Sequence, residues 1–100
     1  MGRPQASATV LVDDDRVRVA RFDFAPGAET GWHRHELDYV IVAVTPCAFL
    51  LEEPGGGTRE VDIAAGEAYR RNAGVEHNVV NRGDAPMAFV ETELKAVAGG

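Results

Sequence analysis

Gly27-Ala-Glu-Thr-Gly-Trp-His33-Arg-His35 and Gly66-Glu-Ala-Tyr-Arg-Arg-Asn-Ala-Gly74-Val-Glu-His77-Asn-Val-Val-Asn81 together hold every histidine of the chain. A neutral imidazole is the commonest protein ligand for a transition metal. His33 and His35 are spaced i, i+2, which on a β-strand turns both rings to one face. His77 follows a glycine-containing turn and begins an apolar run that also reads as a strand. Three histidines gathered into two short stretches are candidate metal ligands; the plainer alternative is three unrelated histidines, at the surface or satisfied in a core.

Working outward, periods of two dominate and no helix-length 3.6 pattern stands out. Ala8-Thr-Val-Leu-Val12 reads as a strand. Asp13-Asp14-Asp15 reads as a solvated turn, since Asp side chains bond to nearby backbone. Residues 16–25 alternate, with a change of face near Arg18–Ala20 that suggests a bulge. Pro26-Gly27 is a turn. Residues 38–45, 47–52, 60–63, 67–71, 77–80 and 86–94 read as further strands. Pro54-Gly-Gly-Gly57 is a connection that lacks the lysine and helix of a phosphate-binding loop, and Arg82-Gly-Asp84 is a turn. About ten short strands punctuated by Gly, Pro and Asp predict an all-β sandwich or barrel.

The two histidine stretches resemble the paired motifs of the cupin superfamily. Motif one, G-x5-H-x-H-x3–4-E-x6-G, matches through Gly27, His33 and His35. Motif two, G-x5-P-x-G-x2-H-x3-N, matches at Gly66, Gly74, His77 and Asn81, with Asn72 in place of the proline. The resemblance implies a double-stranded β-helix, a small jelly-roll barrel enclosing a ligand cavity. It also implies that His33, His35 and His77 are metal ligands. The motif-one glutamate is missing: Tyr39 or Val40 stands in its place. Asp38 is the first candidate for fourth ligand and water the next. Strict alternation puts Tyr39 inside and Asp38 outside, whereas a bulge between His35 and Val40 would reverse them; Glu36 faces away.

Imidazoles with an oxygen ligand suit Fe, Mn, Ni, Zn or Cu without choosing among them. Around them, Trp32 is a candidate for the cavity mouth and Tyr39 for a hydrogen-bond donor at the metal. Arg70 and Arg71 are adjacent, so one points inward. Arg70 is the candidate anchor for a substrate carboxylate. Glu91 would serve as a general base if it faced the cavity, but reads as an exposed edge residue. Cys47 reads as a small buried hydrophobe. Ser7 is the only serine and lies near the N-terminus, which leaves no serine nucleophile.

One hundred residues make one domain, 1–100, with residues 1–7 expected as a flexible tail. The net charge of −6 argues against a nucleic-acid partner. A lone cysteine forms no intramolecular disulfide, and no apolar leader or membrane-length run is visible, so a cytoplasmic protein off the membrane is expected. The family resemblance implies a homodimer, which the small core of so short a chain makes reasonable. It further implies a metal-dependent enzyme acting on a small organic acid or amino-acid-derived metabolite, by dioxygen chemistry or by Lewis-acid isomerase or lyase chemistry. The alternative is a non-catalytic small-ligand or metal-binding module. The Gly-Trp-His-Arg-His…Asp-Tyr-Val signature is similar to that of short bacterial cupins, some associated with β-alanine breakdown.

Overall fold

Alternation of apolar and polar side chains along Asp38–Ala43 and Cys47–Glu52 is the local signal that builds this molecule. A strand whose period is two must bury one face and leave the other open. The computed structural model describes residues 2–96. Its strands are β1 (Ser7–Asp13), β2 (Val17–Phe24), β3 (His33–Arg34), β4 (Asp38–Ala43), β5 (Cys47–Glu52), β6 (Thr58–Ile63), β7 (Ala68–Arg71), β8 (Glu76–Asn81) and β9 (Met87–Leu94). Among the described residues the one helical element is a 3-10 turn at Pro54–Gly56, and no helix is long and apolar enough to cross a membrane.

The strands form two antiparallel sheets, one in the order β1-β2-β9-β4-β7 and the other β3-β8-β5-β6. Inward-facing Tyr39, Ile41 and Ala43 of β4 meet Cys47, Phe49 and Leu51 of β5 in a single core. Phe89 is its hub, with ring centroids 5.3 Å from Phe22, 5.4 Å from Phe24 and 5.6 Å from Phe49. Such offset and edge-on aromatic contacts add to the apolar burial itself.

Three details differ from the sequence expectation. The irregularity near Arg18–Ala20 lies in the partner strand: β2 pairs with β9 without interruption, while β1 carries the bulge between Val10 and Val12. Residues 3–6, expected as part of a tail, are hydrogen-bonded. The Ala6 amide donates to the Glu29 carbonyl, the Glu29 amide donates to the Pro4 carbonyl, and Arg3 pairs with Glu29 and Glu52. The histidine strand is only two residues long, because the chain turns away after Arg34.

Candidate metal centre

In β3 and β8, His33 stands directly opposite His77. His35 lies beyond the end of β3, yet its backbone is held on both sides. Its N–H donates to the Val75 carbonyl and its carbonyl accepts from the Gly74 N–H. Gly74 has φ +98, a conformation that glycine adopts without steric cost. The turn that precedes β8 therefore fixes His35 from one side while His77 approaches from the other.

The three Nε2 atoms converge. His33 and His35 Nε2 are 3.0 Å apart, and His35 and His77 Nε2 are 3.2 Å apart. Cis ligands at about 2.1 Å from a six-coordinate ion stand about 3.0 Å apart, close to both spacings. His33 Nδ1 donates to the Gly31 carbonyl at 2.9 Å, which places the lone pair on Nε2. Burial, with the charges of its histidine neighbours and Arg71 as lesser causes, holds His77 down to about 3. Burial, then the His33 and Arg71 charges, holds His35 down to about 4. Both are neutral near pH 7, as a ligand must be. Between neutral imidazoles a single proton bridges only one such contact, whereas one cation satisfies all of them. The donor set fits a divalent transition ion.

A cavity of about 270 Å³ opens beside these rings, walled by Tyr39, Tyr69, Phe22, Phe49 and Phe89 with Glu91 as its carboxylate. Glu91 Oε1 lies 3.8 Å from His35 Nδ1, and the Glu91 side chain is only 13% exposed. Burial, reinforced by the neighbouring Glu93 charge, pushes the Glu91 carboxyl up to about 7.

A second layer holds the loop before β3. Asn78 Oδ1 accepts from the Gly31 N–H at 2.9 Å, while its Nδ2 donates to Glu29 and Glu52. Asn81, fully buried, donates to the carbonyls of Phe24, Ala25 and Ala85 and accepts from the Gly83 N–H.

The remaining candidates are distributed differently from the sequence expectation. Asp38 is turned outward, where its carboxylate accepts from the Ala73 N–H at 2.8 Å and from Arg70 at 3.1 Å. These contacts hold it below the usual carboxylate range, and it does not join the imidazole group. Strand alternation prevails over the bulge that would have brought it inside. Tyr39 is buried and stacked on His35. Arg70 faces solvent with a 60% exposed side chain. Arg71, cross-strand from Tyr39, takes the inward place. Trp32 is exposed and does not line the cavity. Glu36 is exposed, as alternation required. Glu91, read from the sequence as an edge residue, faces the cavity because Phe89 on the same strand face anchors that face in the core.

Two sheets closing over histidines from both motifs place the molecule among jelly-roll barrels with a metal-type site. The cupin-domain family description matches residues 20–93, and the protein belongs to that family. The chain is 55% identical over 94 residues to the Beta-alanine degradation protein BauB of Pseudomonas aeruginosa, covering 94% of this chain and 98% of that one. It is 49% identical to a cupin domain from Bordetella pertussis, with a TM-score of 0.91 over 96% of this chain and 99% of that one. A protein with a double-stranded β-helix domain from Klebsiella pneumoniae shares the fold, with a TM-score of 0.76, 20% identity and coverage of 98% and 86%.

Proposed function

We propose that the protein is a metal-dependent enzyme that holds Fe, Mn, Ni, Zn or Cu through His33, His35 and His77 and acts on a small organic acid of β-alanine breakdown. The observation that carries this reading is the convergence of three imidazole Nε2 atoms beside a cavity. The name of the Pseudomonas relative supports the substrate class. When bound, the ion would supply Lewis-acid polarisation or a centre for dioxygen chemistry. The chain's own part is distinct. Tyr39, Phe22, Phe49 and Phe89 exclude water, Arg71 supplies positive charge, and the Glu91 carboxyl can hold or release a proton at the cavity wall.

A second reading, a non-catalytic binding module, is favoured by Tyr39 standing where the family motif has its carboxylate ligand. We further propose a cytoplasmic homodimer with no nucleic-acid partner. The dimer is suggested by β1, an edge strand exposed along its whole length.

Elemental analysis of untagged protein, purified without added metal and followed by turnover assays on small acids, tests the assignment. Near-stoichiometric metal with turnover supports the enzyme. Metal or ligand retained without turnover supports the binding module. No metal even after reconstitution overturns the metal assignment.

A further inference from the structure

A second recess, of about 200 Å³, lies where the two sheets leave their edges unjoined, between β6 and β7. It is lined by Leu51, Arg59, Val61, Tyr69 and Arg71. Its walls follow from strand parity. Arg59 pairs with inward-facing Leu51 and shares its strand face with Val61. Tyr69 and Arg71 share a face of β7 and pair with inward-facing Ile41 and Tyr39. Arg59 and Arg71, from different sheets, thus line one recess with Leu51, Val61 and Tyr69.

Tyr69 lines both this recess and the imidazole cavity. Arg71 has no carboxylate within ion-pairing distance among the described residues, whereas its neighbour Arg70 is neutralised by Asp38 and Arg59 touches Glu53 at 3.3 Å. The Arg71 charge reaches His35, His77, Tyr39 and Tyr69. In a chain of net charge −6, an inward, half-buried guanidinium without a carboxylate partner among the described residues is placed to take an anion. Its planar fork matches a carboxylate in two parallel hydrogen bonds.

We infer that the β6–β7 recess is the carboxylate-recognition end of the ligand site, where Arg71, assisted by Arg59, grips a small organic acid whose other end lies toward the three imidazoles. This rests on the reading of the neighbouring cavity as a ligand site. It adds the point of attachment, the orientation of the ligand and a requirement for negative charge. Arg71 binds and orients; it is not asked to move a proton.

The test titrates the purified protein with straight-chain carboxylates from propionate to hexanoate and with the matching primary amides, followed by amide NMR shifts. Metal content is measured on every sample. The carboxylates should bind and shift residues of β6 and β7, with the uncharged amides about tenfold weaker. Arg71→Gln should weaken carboxylate binding about tenfold, Arg59→Gln by a smaller factor, and Arg70→Gln not at all, with metal content unchanged throughout. No carboxylate binding to the unmutated protein, equal binding of amides, or unchanged affinity in Arg71→Gln overturns the inference. If Arg71→Gln fails to fold, Arg59→Gln decides: undiminished affinity there overturns it. Arg71-dependent binding in protein that carries no metal would sustain the anchor independently of the metal reading. Binding that vanishes on metal removal and ignores Arg71→Gln would put the carboxylate on the ion and overturn it.

Discussion

The phenol ring of Tyr39 lies flat on the imidazole of His35, with centroids 3.8 Å apart and planes 16° from parallel. The family motif calls for a carboxylate at this point in the chain. Here an aromatic face instead fixes the orientation of one imidazole, while the Tyr39 hydroxyl is buried without a hydrogen-bond partner. Burial pushes that hydroxyl up to about 12, so it stays protonated. Tyr39→Phe keeps the stack and removes the unpaired oxygen. It should stabilise the metal-free protein by about 1 kcal/mol, a rise of roughly 4–8 °C in Tm. Tyr39→Ala should cost about 3–5 kcal/mol. Thermal unfolding of the two variants checks both signs.

Replacing His33 or His77 with Ala should abolish stoichiometric metal loading, and Asp38→Ala should leave it intact. Asp38 is engaged with Arg70 and the Ala73 N–H on the outer surface. Elemental analysis of the three variants side by side separates an imidazole-only protein ligand set from one that recruits this acid. Loading retained in both histidine variants would remove the site assignment.

The buried titratable groups set opposite pH limits on the metal-free protein. Glu91 is raised from 4.5 to about 7 in the fold. Its contribution is therefore fully present below about pH 4.5 and is lost as pH rises through 7, a span of about 3 kcal/mol. Glu91→Gln should gain on the unmutated protein by up to that amount between pH 4.5 and 8. His35 and His77 are lowered from 6.5 to about 4 and about 3. Their contribution is present above pH 6.5 and is lost as pH falls toward 3. Denaturant unfolding across pH 3–9 reads both arms, and a flat difference between Glu91→Gln and the parent would contradict the first.

Val10, Leu11 and Val12 are 48%, 52% and 44% exposed on the outermost strand of the five-stranded sheet. An uncovered apolar edge invites pairing with another strand. If a second copy of the chain covers it, light scattering should give twice the chain mass, and Leu11→Lys should shift the population toward one. A parent protein that is monomeric at high concentration would remove the proposed dimer.

How far the site could be read beforehand depended on which physical rule governed each residue. The histidine trio was legible because period-two geometry and ligand chemistry agree there. At Asp38 and Tyr39 they disagree: a carboxylate is the better ligand, but alternation points it outward, and alternation decides the structure. Arg70 and Arg71 are indistinguishable by type, and only the pairing of β7 with β4 shows that Arg71 shares a side with Tyr39. Glu91 and Glu93 gave β9 a polar face that resembles a solvent face. It is nevertheless the inner one, because Phe89 at the other end of that face packs among Phe22, Phe24 and Phe49.

β3 is two residues long, and among the described residues its only strand partner is β8. His35 and His77 are separated by 42 positions in sequence. A chain emerging from the ribosome therefore cannot bring all three imidazoles together until β8 has been made and can dock. Any ion that enters afterwards also clasps the shortest strand of the barrel to the sheet. An ion held by His33, His35 and His77 would thus also act as a fastener for that corner of the fold.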